Sequence, residues 1–160
     1  MNDKLVVGIA DMKMAQGSGM LVTYALGSCI GICFYDPMLK LAALLHIMLP
    51  LNLETGRKSP LKYADTGIRE TLREMERRGA KRARVTAKIA GGAKMFATVS
   101  DNSLSNIGQR NVAAVKETLR AYGIPILADD TGKDYGRTLY FNAADGSMRI
   151  KSAKHGEWVF

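Results

Sequence analysis

Cys29-Ile-Gly-Ile-Cys-Phe-Tyr35, Asp36-Pro-Met-Leu39 and Lys40-Leu-Ala-Ala-Leu-Leu-His-Ile-Met48 are two apolar runs on either side of a turn, and their reading decides the fold. Proline fixes its own φ near the corner, so the turn signal between the runs is strong. If the strands pair in simple register about residues 36–39, paired residue numbers sum to 75. Tyr35 then faces Lys40, and Cys29 stands opposite His46 on the same face of the hairpin.

Outward from this hairpin, residues 4–9 and 20–25 read as short strands, with Gln16-Gly-Ser-Gly19 as the turn between them. A helix is expected from Tyr63 to Arg78, because Ile68, Leu72 and Met75 share one face and arginines and glutamates the other; Gly79 then caps it. A second is expected from Gly108 to Tyr122, with Val112, Val115 and Leu119 inward, Ser105 or Asn106 capping its start and Gly123 ending it. Strands are expected at 83–89 between the helices and at 124–128 after them. Segments 137–142 and 147–151 flank Ala143-Ala-Asp-Gly146 as a closing hairpin. Many strands and two helices predict an α+β layered sandwich, mostly antiparallel, rather than a doubly wound parallel sheet.

A length of 160 residues with 47% apolar content suits one domain spanning residues 1–160. The N-terminus does not resemble a secretory signal, and the apolar stretch 41–51 falls far below the roughly 20 residues of a membrane-spanning helix, so a soluble protein without membrane insertion is expected. Two cysteines four apart are poor material for a disulfide framework or a structural zinc site, which favours a reduced, cytoplasmic setting with neither metal nor cofactor. The formal charge of +8 calls for an acidic partner. Much of the excess lies in Arg69, Arg73, Arg77, Arg78, Lys81, Arg82 and Arg84, which read as a solvated helix face and its exit; aromatic residues do not interleave with them as single-strand nucleic-acid binding requires. Ala90-Gly-Gly-Ala93 lacks the spacing of either phosphate-binding glycine motif, so it reads as a tight turn that is purely structural or a cleft wall.

Cys29 and His46 carry the chemistry if any residues do. A thiol is a good nucleophile only as thiolate, and a neighbouring imidazole promotes that form. Gly27 and Ser28 let the chain turn sharply before Cys29, and Gly31 is expected to leave an open space for a substrate side chain. The plain alternative is a small core cysteine and a satisfied core histidine. Thr23 is placed to fix the imidazole tautomer through its hydroxyl or its backbone carbonyl, or serves only as a β-former. Cys33 reads as packing opposite Ala42 and His155 as exposed; Arg110 and Asn111 read as local capping and exposed charge or as substrate contacts, the structural reading being preferred.

The segment Thr23-Tyr-Ala-Leu-Gly-Ser-Cys-Ile-Gly-Ile-Cys-Phe-Tyr-Asp36 with Ala43-Leu-Leu-His-Ile-Met-Leu-Pro50 resembles the chemoreceptor glutamine deamidase family, CheD. Tyr63-Ala-Asp65, Ala90-Gly-Gly-Ala-Lys-Met-Phe96, Ile107-Gly-Gln-Arg-Asn-Val112 and Asp129 to Arg137 extend the resemblance, in family order, over about residues 4–150. It implies an α/β/β sandwich and a catalytic Cys29, His46 and Thr23; the backbone N–H groups around Ser28 and Cys29 are the nearest candidates for oxyanion donors. The implied substrate is a glutamine side chain on a methyl-accepting chemotaxis receptor, and the implied regulator the CheC phosphatase. A monomer is expected. The runner-up readings are a non-catalytic adaptor binding receptors or CheC, and a cysteine hydrolase of another acyl group.

Overall fold

A computed structural model of the protein describes residues 4–52, 59–95 and 106–160. Ten strands make two five-stranded sheets. One sheet holds β1 (Lys4–Val6), β3 (Met20–Leu26), β8 (Arg137–Asn142), β9 (Met148–Ser152) and β10 (Gly156–Val159), in the order β1-β3-β8-β9-β10. The other holds β2 (Asp11–Gln16), β5 (Leu41–Ile47), β4 (Ile30–Asp36), β6 (Thr86–Gly91) and β7 (Ile126–Thr131), in the order β2-β5-β4-β6-β7. Only the β1/β3 and β6/β7 ladders are parallel among the described strands. The α+β expectation holds.

Strands β4 and β5 are buried along their whole length, which explains why they read as continuous apolar runs. Ile30, Ile32, Phe34, Leu41, Ala43, Leu45 and Ile47 face α1 (Ala64–Arg77) and α2 (Ile107–Ala121), packing on Ile68, Leu72, Met75, Val115 and Leu119. The alternate residues Cys33, Tyr35, Ala42 and Leu44 face the first sheet at Leu21, Leu26, Leu139 and Phe141. The layers are therefore helices, sheet, sheet. Each fully buried Leu or Ile contributes about 1.5–3 kcal/mol, so this double burial secures the central hairpin firmly.

The hairpin register departs from expectation. Ile30 pairs with Ile47, Gly31 with His46 and Asp36 with Leu41, so paired numbers sum to 77 rather than 75. Asp36 is the cause: it is fully buried, and its carboxylate accepts hydrogen bonds from the Arg84 guanidinium at 2.8–3.2 Å and the Lys81 N–H at 3.2 Å. Those partners hold Asp36 in the strand, and the loop becomes residues 37–40, closed by Lys40 at a left-handed φ of 51°. Cys33 consequently faces Leu44 rather than Ala42. A shift of two keeps every side chain on its expected face.

Elsewhere β6 starts later than expected, because residues 82–84 form a 3-10 turn. Strands β2 and β10 were not expected; both lie at a sheet edge and mix polar with apolar residues. The 17–19 turn joins β2 to β3 across the two sheets, so it does not link residues 4–9 directly to 20–25; β1 and β3 instead lie side by side as a parallel pair. Asn106 occupies the α2 N-cap position without a side-chain cap, and Ser105 lies outside the described residues.

Candidate active site at the crossing between the sheets

The chain passes from one sheet to the other through Gly27, Ser28 and Cys29, between β3 and β4. His46, near the end of β5, points toward the first sheet and is 1% exposed. Across the layer, the fully buried Thr23 Oγ1 lies 2.7 Å from His46 Nδ1 and donates its one hydrogen to the Val7 carbonyl at 2.7 Å. A hydroxyl that has spent its proton can only accept. His46 Nδ1 must therefore carry hydrogen, which leaves the Nε2 lone pair free. That Nε2 is buried and has no hydrogen-bond partner among the described residues. The tautomer is thus held through the Thr23 hydroxyl, the first of the two routes that the sequence left open.

Three successive carbonyls of the crossing loop are bound from behind. Gly27 O accepts from the Ala93 N–H at 2.8 Å, Ser28 O from Asn111 Nδ2 at 2.9 Å, and Cys29 O from the Gly92 N–H at 2.9 Å. Ser28 N–H and Cys29 N–H, by contrast, donate to no group among the described residues. The Ala90–Ala93 segment is therefore the wall of the loop. Gly91, at φ 111°, could not be replaced without strain, since a Cβ there would sit 2.2 Å from Cys29 O. Lys94 N–H in turn bonds Lys133 O at 2.9 Å, and the buried Arg137 staples the 132–136 loop through Gly132 O at 3.1 Å and Asp130 at 3.1 Å.

Cys29 is half-buried and shares the sheet-facing side with His46, though two residues along from the position directly opposite. Gly31 occupies that opposite position. It does not open a space: a Cβ there would lie 2.9 Å from Leu139 and 3.2 Å from Leu26, so its lack of a side chain is used for packing between the sheets. Gly27 is packed more loosely, against Met95. Burial pushes the Cys29 thiol up. Burial likewise lowers His46 to about 4, against an opposing pull from the Asp11 carboxylate across β2. Both shifts favour the uncharged forms, thiol and neutral imidazole, because burial penalises charge on each group, whereas the sequence reading has the imidazole favouring the thiolate.

Cys33 is fully buried and its thiol is raised further by burial, partly offset by Lys88. His155 is exposed and stacks on Tyr135 at 4.2 Å between centroids. The α1 arginines largely answer neighbouring glutamates, as in Arg73 with Glu70 and Arg77 with Glu74, which fits a solvated face. A cleft of about 590 Å³ is lined by Met95, which packs against Gly27, together with Ala25, Tyr135 and Lys154. Asn111 is the residue that sequence reasoning undervalued. It lies in line with Val115 and Leu119 at i+4 and i+8, and a polar residue in that buried stripe was the available signal.

The fold is an α/β/β sandwich in which His46, bonded to Thr23 across the layer, lies on the same face as Cys29 near the crossing between the sheets. A family profile described as CheD chemotactic sensory transduction matches residues 48–152. A protein from Caldanaerobacter subterraneus subsp. tengcongensis called "Probable chemoreceptor glutamine deamidase CheD" is 48% identical over 95% of this chain and 94% of its own length. Proteins of the same description from Syntrophomonas wolfei and Archaeoglobus fulgidus are 47% and 44% identical, covering 99% of this chain and 99% and 100% of theirs. The chain belongs to the CheD family. Among solved structures, a hypothetical protein YfiH from Bacillus licheniformis overlaps 70% of this chain and 46% of its own at 18% identity and a TM-score of 0.43, too partial to argue from.

Proposed function

We propose that the protein hydrolyses glutamine side-chain amides of bacterial chemoreceptors to glutamate, with Cys29 as nucleophile, His46 as general base and Thr23 as the group that orients it. The activity and the receptor substrate accord with the family and its relatives. The observation that carries the site is the buried His46 Nε2, without a partner among the described residues, on the face shared with Cys29, its lone pair directed by the Thr23 hydroxyl. Such an atom is costly unless it has work to do.

As sulfur attacks the carboxamide carbon, Nε2 takes the thiol proton, so charge appears only in the reacting state. The imidazolium then protonates the departing ammonia, leaving a thioester. Water, deprotonated by the same Nε2, attacks the thioester carbon; glutamate leaves, and the proton returns to sulfur. The free N–H groups of Ser28 and Cys29 supply donors for the carbonyl oxygen as it gains charge. A methyl ester would fit the same sequence of steps. The setting is cytoplasmic, where the thiols stay reduced; a phosphatase of the CheC type is the expected regulator, and no helix among the described residues is long and apolar enough to cross a membrane. The deciding measurement is ammonia release from a purified receptor fragment. Cys29→Ala should abolish it with the fold intact, and substantial turnover by that variant would rule out the assignment.

A further inference from the structure

Asn111 stands outside the cysteine, histidine and threonine of the proposed site, yet its carboxamide joins both halves of it. The side chain is fully buried in the second turn of α2. Its Nδ2 donates to Ser28 O at 2.9 Å and to Met48 O at 3.0 Å. Both neighbours are carbonyls, so a flipped amide would set oxygen against oxygen, and the orientation is chemically determined. Ser28 precedes Cys29, and Met48 lies two residues beyond His46.

A peptide group is planar and trans, so its N–H points opposite to its C=O. The carbonyl of Ser28 and the N–H of Cys29 belong to one such group. Bonding Ser28 O to Asn111 therefore turns the Cys29 N–H away from the helix, toward the free side of the loop. Accepting that bond also polarises the peptide and strengthens its N–H as a donor. The Ala93 N–H does the same service for the Gly27–Ser28 peptide through Gly27 O.

We propose that Asn111 is a positioning residue for the hydrolysis: by holding Ser28 O and Met48 O on one carboxamide, it aims the Cys29 N–H at the oxygen that becomes an oxyanion. The inference rests on Cys29 being the nucleophile. Substrate binding does not use this bond, whereas the transition state does, so removing it should act on kcat rather than KM.

The test compares wild type with Asn111→Leu, similar in size but without donors, by ammonia release from a receptor fragment and by iodoacetamide alkylation of Cys29. Alkylation displaces iodide at a saturated carbon and develops no oxyanion, so it reads the thiol and His46 alone. Losing an oxyanion donor outright costs about 100- to 1,000-fold in kcat, and a misdirected one should cost at least about tenfold. The expected result is that fall in kcat, KM within twofold, and alkylation within twofold. Asn111→Ala, smaller and likewise without a donor, is read in the same way should Asn111→Leu not fold. A folded variant with kcat within twofold of wild type overturns the proposal. So does alkylation that falls in parallel with kcat, since Asn111 would then act on the thiol and not on the donor. Cys29→Ala run alongside separates the two ideas: turnover surviving in it sinks the nucleophile assignment itself, whatever Asn111 does.

Discussion

His46 is held neutral by burial, and this has a consequence that can be measured without any substrate. Its ordinary value of about 6.5 falls to about 4 in the folded protein, with burial the larger influence and Asp11 opposing it. Between those two values the unfolded chain binds a proton that the folded one refuses. Stability from this group is therefore fully present above about pH 6.5 and is lost as pH falls toward 4, at about 1.4 kcal/mol per pH unit within the window. From pH 7.5 to 5 the loss comes to about 2 kcal/mol, or about 4–8 °C in Tm for a domain of this size. The measurement is a difference, so that contributions shared by both proteins cancel: denaturant unfolding of wild type and His46→Gln across pH 7.5 to 5. Wild type should lose about 2 kcal/mol more than the variant over that range. A difference that stays flat would mean that His46 is charged or solvated when folded, and the neutral-pair chemistry would fail with it.

The same burial predicts the acid limb of kcat/KM: an ordinary histidine would cost about tenfold at pH 5.5, whereas His46 should cost almost nothing there, and a limb near pH 6.5 would contradict this. Thr23→Val keeps the shape but removes the acceptor for His46 Nδ1; kcat should drop by about tenfold or more, and unchanged kcat in a folded variant would show that the tautomer needs no such anchor. Gly91→Ala drives a methyl group into Cys29 O, so kcat should fall steeply alongside a Tm loss from the strained left-handed φ, and normal activity would mean that the loop is not held as described. Cys33→Ser buries a hydroxyl among apolar neighbours, costing about 1–3 kcal/mol of stability while activity per folded molecule is retained; loss of all activity in folded Cys33→Ser would point to the wrong thiol.

What was legible in the sequence is local. Runs 29–35 and 40–48 announce strands buried on both faces, and Ile68, Leu72 and Met75 at helical spacing announce α1, because burial imposes periodicity on each element separately. The same parity placed Cys29 and His46 on one face without any coordinates. What only the tertiary structure decided is whatever depends on a partner distant in the chain. The register moved by two because Asp36 is claimed by Arg84 and Lys81, some 45 residues away. The tautomer follows from Thr23 in the opposite sheet, and Asn111 became part of the site because α2 packs over the crossing loop. A hydrogen bond between remote segments leaves no period in the sequence, so residues 4–48 by themselves determine which side chains share a face, and packing determines what they do there.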